Sequence, residues 1–146
     1  MAVFRLEAQT NRSADEVFQY LANMENAAQW DPSISSVVRG DSGAVEVGSK
    51  FRVTLGFLGR SLVLDYRVAE LVEGERVVLR AETKTFVSED TVTVAKSDDG
   101  TTTVRYEAQL SGKGTFSALD PLFRLAIHHF GRQAESKLRS EYLSRV

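Results

Sequence analysis

Apolar and polar residues alternate from Val3 to Gln9, with Phe4, Leu6 and Ala8 on one side and Arg5 and Glu7 on the other. A period of two is that of a strand with one buried face. The spacing then turns helical at Val17, Phe18 and Leu21, behind Ser13-Ala-Asp-Glu16. That tetrapeptide predicts a capping box, the serine accepting from the backbone while the glutamate reaches back. A second helical piece is expected near Glu25 to Gln29. It must stop around Trp30-Asp31-Pro32, because proline disfavours helical geometry at the residue before it.

From Ile34 to Leu110 the period of two returns in short runs separated by turns. Ile34 to Arg39 is followed by a Gly40-Asp-Ser-Gly43 loop, and then Phe51, Val53, Leu55 and Phe57 alternate with Lys50, Arg52 and Thr54. Gly56-Phe-Leu-Gly59 predicts a hairpin into Leu62, Leu64, Tyr66 and Val68. Glu73-Gly74 turns the chain into Val77, Leu79, Ala81 and Thr83, which face away from Arg76, Arg80 and Glu82. Phe86 to Ala95 makes the sixth strand. Asp98-Asp99-Gly100 then leads to a seventh, Val104, Tyr106, Ala108 and Leu110 against Thr103, Arg105, Glu107 and Gln109.

The last segment changes period once more. Asp120-Pro121 predicts a capping residue before a proline at the first helical position. Leu119, Phe123, Ile127, Phe130, Ala134, Leu138 and Tyr142 form one apolar stripe at spacings of three and four. A helix from Pro121 to Ser144 would run about 36 Å, long enough to cross a sheet. The order is β-α-α-β6-α, an α+β arrangement in which a strongly bent seven-stranded antiparallel sheet wraps the final helix. A bent sheet cannot touch a straight helix everywhere, and the gap is a natural apolar cavity.

Composition narrows the chemistry. The chain has 146 residues, expected to form one domain over 1–146, with 18 Lys+Arg against 20 Asp+Glu and 42% hydrophobic residues. Zero Cys removes thiolate nucleophiles, disulfides and sulfur-ligated zinc. A net charge of −2 argues against nucleic-acid binding, which needs a basic footprint. Neither a secretory signal nor a run of apolar residues long enough to span a membrane is visible, so a cytoplasmic protein is expected. Phosphate-loop, dinucleotide and His-Glu-x-x-His motifs are missing, and no cofactor or metal site is expected. Gly112-Lys-Gly114 reads as a hinge into the helix, and His128 and His129 point about 100° apart on a helix face, away from a shared ligand.

The stretches Ser13-Ala-Asp-Glu-Val-Phe, Asn26 to Pro32, Leu64-Asp-Tyr-Arg-Val-Ala-Glu70, Glu89-Asp-Thr-Val-Thr93, Thr101 to Leu110 and Leu119-Asp-Pro-Leu122 follow one another in a telling order. Together they resemble the helix-grip superfamily of START and Bet v 1-like (SRPBCC) domains. The closer likeness is to the bacterial polyketide cyclase/dehydrase and lipid-transport branch. The resemblance implies the helix-grip fold and a membership that spans cyclases, lyases, and lipid or hormone binders. Fold alone does not choose among these.

Within the expected cavity, alternation assigns inward positions to Val53, Leu55 and Phe57 on the third strand and to Leu64 and Tyr66 on the fourth. Leu79 and Ala81 follow on the fifth, Phe86, Asp90 and Val92 on the sixth, and Tyr106 on the seventh. Phe123, Ile127 and Phe130 face them from the helix, and Trp30 stands beside the opening as a gate, a wall or plain packing. Asp90 is the candidate for proton transfer, since a carboxylate in an apolar cavity has its charged form penalised. Tyr66 and Tyr106 would orient a carbonyl. A bulge, a structural hydrogen bond, or a one-residue slip exchanging Asp90 with Glu89 are the competing readings. The leading expectation is a binder of a lipid, isoprenoid or polyketide-like aromatic, acting as a monomer or weak homodimer. A cyclase/dehydratase using Asp90, Tyr66 and Tyr106 is the alternative, and a regulatory or stress-linked interaction protein a third.

Overall fold

A computed structural model describes residues 1–57 and 59–143 of the chain, apart from the side chains of Phe57 and Glu141. Leu58 in the expected hairpin, and Ser144 at the expected helix end, lie outside that description, as does the Phe57 side chain. Seven strands form one antiparallel sheet: β1 Ala2–Thr10, β2 Ile34–Arg39, β3 Lys50–Phe57, β4 Arg60–Val72, β5 Arg76–Glu82, β6 Phe86–Lys96 and β7 Thr102–Gly112. Their spatial order is β1-β7-β6-β5-β4-β3-β2, so a six-stranded meander is closed on one side by the first strand. Three helices accompany them: α1 Ala14–Ala22, α2 Ala27–Trp30 and α3 Asp120–Leu138. The helix-grip arrangement expected from the sequence is the one observed.

Local chemistry explains the boundaries, with two departures from expectation. Ser13 caps α1 by accepting from the Glu16 amide at 3.2 Å, but the Glu16 carboxylate accepts from Arg12 at 2.9 Å. Only half of the capping box forms, because a guanidinium offers that carboxylate a charge-assisted partner. Asp31 leaves the helix with extended backbone (φ −101°, ψ 107°), as the following proline requires.

The second departure is at the long helix. It does not run unbroken from Pro121 to Ser144: α3 ends at Leu138 and a π-helical turn, Arg139–Leu143, follows. A 3-10 turn, Gly114–Leu119, precedes it and leaves Leu119 42% exposed, outside the apolar stripe. Asp120 is itself helical and does not cap; its Oδ1 accepts from the Gly112 amide at 3.0 Å and ties the entry of α3 to β7. Gly112 is required by crowding, since a Cβ there would lie 2.1 Å from the Phe116 carbonyl oxygen. The hinge is tight.

The inner face of the sheet carries the core. Val53, Val68, Val77, Val92 and Val104 are all fully buried with Val17 and Phe18 of α1, which lies against β6. Helix α3 packs on β1 and β7. The outer face is charged, with cross-strand pairs such as Arg5–Glu107 at 2.7 Å and Arg105–Glu7 at 2.9 Å. No described helix is long and apolar enough to cross a membrane.

Candidate functional site

Between the inner face and α3 the side chains leave a cavity of about 160 Å³. Phe4 and Leu6 of β1 supply one wall, Leu55, Leu62 and Leu64 of β3 and β4 another, and Ile127, Phe130 and Ala134 of α3 the third. Contributions from both sides of the sheet to one space mean that the sheet curves around the helix. Polar residues line it at four places: Tyr66 and Ser88, Asp90 and Tyr106, Asp31 with Ser33, and Gln109.

Asp90 faces inward for a definite reason. Strand β6 pairs with β5 and β7 without a register shift, so strict alternation holds along it. Glu89 accordingly points outward, where Arg80 reaches it at 3.1 Å. Asp90 stands opposite Ala108 of β7, which makes Tyr106 its diagonal neighbour on the same face. The Tyr106 hydroxyl donates to Asp90 Oδ2 at 2.7 Å. Burial pushes the Asp90 carboxyl up to about 7; the Tyr106 hydrogen bond opposes this, while the charges of Asp31 and Glu89 add to it.

Tyr66 reaches farther. It stands opposite Ala81 of β5, and Ala81 stands opposite Ser88 of β6. The small methyl of Ala81 lets the phenol cross a whole strand, and the two hydroxyls meet at 2.6 Å. Burial first, and then the negative charge of Asp90, raise both tyrosines above their ordinary value. They remain protonated donors near neutral pH.

Asp31 completes the polar wall and was seen in the sequence only as a helix terminator. Its Oδ1 accepts from the Ser33 amide at 2.9 Å and the Ser33 hydroxyl at 2.7 Å. Burial raises its carboxyl, against the lowering effects of Ser33 and of the Lys137 charge. The usable signal was its place directly after Trp30, at a helix end beside the cavity. Trp30 is a wall, 6% exposed, with its ring edge-on to Tyr106 at 5.6 Å.

Of the inward positions expected to line the cavity, Leu55, Leu64, Tyr66, Phe86, Asp90, Tyr106, Ile127, Phe130 and Trp30 do so. Val53, Leu79, Ala81 and Val92 do not. They are at most 2% exposed in the closed core, because their part of the inner face is covered by packed side chains, including those of α1. Phe123 is also displaced from the cavity wall. It is 5% exposed and its ring lies against Phe86, with centroids 6.0 Å apart. His128 and His129 are exposed, His128 edge-on to Phe4 at 5.9 Å. Among the described residues no three His, Asp or Glu side chains gather as metal ligands would.

Solved structures share this fold at low identity. The Zhui aromatase/cyclase from Streptomyces sp. R1128 matches with a TM-score of 0.72 at 12% identity, covering 96% of this chain and 97% of that one. A START superfamily protein from Mycobacterium smegmatis matches with a TM-score of 0.62 at 16% identity, covering 92% and 98%. The di-domain ARO/CYC BexL of the BE-7585A biosynthetic pathway matches with a TM-score of 0.69 at 19% identity. That match covers 94% of this chain but 45% of BexL. Among curated proteins no sequence relative is found. A family model described as polyketide cyclase / dehydrase and lipid transport matches residues 1–140, and with the fold in place the chain belongs to that family.

Proposed function

We propose that the protein binds a hydrophobic small molecule, such as a lipid, an isoprenoid or a polyketide-like aromatic, in the cavity between the sheet and α3. The observation that carries this reading is the cavity itself, walled mainly by Leu, Phe and Ile side chains that leave space between them. Burying about 250 Å² of apolar ligand surface contributes about 6 kcal/mol at ~25 cal/mol per Å². Association opposes this with roughly 4–15 kcal/mol, so apolar burial alone does not give firm binding. The polar wall must contribute. Native mass spectrometry and solvent extraction of the purified protein should reveal a co-purifying apolar compound, or one taken up from a lipid and aromatic panel. Failure to retain any member of that panel removes the reading.

A second reading is favoured by one specific observation. Asp90 stands in the cavity wall with the Tyr106 hydroxyl donating to it at 2.7 Å, and burial pushes its carboxyl up to about 7. An acid poised there suits removal and return of a proton beside a carbonyl, as in a cyclisation or dehydration. On this reading Asp90 is acid/base and Tyr106 or Tyr66 polarises the carbonyl. If a polyketide-like substrate is turned over, Asp90→Asn should lower the rate by roughly 100-fold or more, the range of general acid–base catalysis, with binding nearly intact. Unchanged turnover would exclude Asp90 from the chemistry.

A further inference from the structure

The charge of the cavity wall bears on which polar end a ligand brings. Two carboxylates, Asp31 and Asp90, stand in the wall, and no Lys, Arg or His lines it among the described residues. Each carboxylate uses one oxygen: Asp90 Oδ2 accepts from Tyr106, and Asp31 Oδ1 accepts from Ser33. The second oxygen of each accepts from none of the described residues. No buried side-chain oxygen among those residues lacks a partner, so these two atoms retain access to open space. Beside them stand the rings of Trp30 and Tyr106, and aromatic faces attract cations.

We propose that the cavity selects apolar amines, holding a protonated amino group between Asp31 and Asp90 beside Trp30, and rejects carboxylate and phosphate ends. An ammonium donates up to three hydrogen bonds and meets two acceptors that lack protein donors. It also relieves the mutual repulsion of two carboxylates held in one apolar space. A carboxylate or phosphate would add a third negative charge to a wall that, among the described residues, carries no cationic side chain, with Lys137 acting on Asp31 from α3. An uncharged alcohol stands between: it donates one hydrogen bond to a carboxylate oxygen but brings no positive charge to offset the negative ones. Glu89 also contributes negative potential at Asp90, although its side chain is engaged by Arg80 on the outer face. The polar wall is thus selective by charge as well as by shape.

This inference rests on the cavity being a ligand site, and a matched series tests the two separately. The chain has a single tryptophan, Trp30, so its fluorescence reports on the cavity wall alone. Decylamine, decanol and decanoate share one hydrocarbon tail and would be titrated at about pH 8, where the amine is still cationic and Asp90 is mostly ionised. Decylamine should bind about tenfold tighter than decanol, and decanoate weakest, in line with the strength of charge-assisted hydrogen bonds. Asp90→Asn and, independently, Asp31→Asn should each weaken decylamine more than decanol and so shrink the amine's advantage. Decanoate binding as tightly as decylamine, or an advantage untouched in both variants, overturns the charge selectivity and leaves the binding site standing. No fluorescence change with any of the three removes the binding reading, and this inference with it.

Discussion

Asp90 shows how a single side chain can be both costly to the fold and useful to the site. Its carboxyl titrates near 7 in the folded chain against 3.8 ordinarily, so between those values the folded state holds the proton more tightly than the unfolded one. Stability contributed at this position is therefore greatest at low pH and is lost as pH rises through that window. The full loss, reached once both states are ionised, is up to about 4 kcal/mol at ~1.4 kcal/mol per unit. Asp31 acts in the same direction, while carboxylates such as Asp65 beside Arg52 are lowered and act oppositely. The variant Asp90→Asn isolates the one residue. Measured by urea denaturation, its stability relative to the parent should rise by a few kcal/mol between about pH 4 and pH 8. A difference that stays flat over that range would mean that Asp90 ionises normally.

Ala81 matters at the same scale in a quieter way. It was assigned to the cavity by alternation, yet its contribution is the room its methyl leaves for Tyr66 to meet Ser88. A larger side chain there would occupy the path of the phenol.

Among the elements, α3 decides whether a cavity exists. Asp120 accepts from Gly112 at its start; near its end Arg139 donates to the Glu7 carbonyl at 2.6 Å, and beyond it Thr10 donates to the Leu143 carbonyl at 2.7 Å. Held at both ends, the helix spans the open space with Ala126, Ile127 and Phe130 facing it. At Gly131 it passes so near β1 that a Cβ would lie 2.7 Å from the Phe4 ring. A mid-helix glycine sacrifices about 1 kcal/mol of helix propensity relative to alanine. Gly131→Ala recovers that propensity but forces the helix off β1, an overpacking penalty of roughly 1–3 kcal/mol. The net expectation is a Tm lower by about 2–6 °C, read by calorimetry. A rise in Tm would show that Phe4 yields freely and that the close approach does not restrain α3.

At the scale of the molecule, the two faces of the sheet carry different tasks. Outer ion pairs such as Arg5–Glu107 and Arg105–Glu7 are exposed and contribute little energy each, but they join residues directly opposite in register. The inner face divides again, into a closed core around Phe18, Val53 and Val92 and an open half around Asp90 and Tyr106. That division sets the chemistry. Family membership and fold leave binding and cyclisation both open, and the polar wall is where they would be told apart.

The alternation of β6 was legible in the chain, since strand geometry imposes a period of two, and it offered Asp90 as an inward residue; the unbroken pairing with β5 and β7 decided this against a bulge or a slip that would exchange it with Glu89. The turns at Gly59, Gly74 and Gly100 were legible too, and each glycine has the positive φ that its turn needs. Tertiary packing decided how deep each inward residue sits, since alternation assigns a face but not what covers it. Thus Val53 and Leu79 closed into the core while Leu55 and Leu64 met open space, according to where the packed core ends and α3 spans the sheet. Asp31 belongs to the same class. Its partnership with Asp90 joins a helix end to a strand far along the chain, and only the folded sheet brings those two charges within reach.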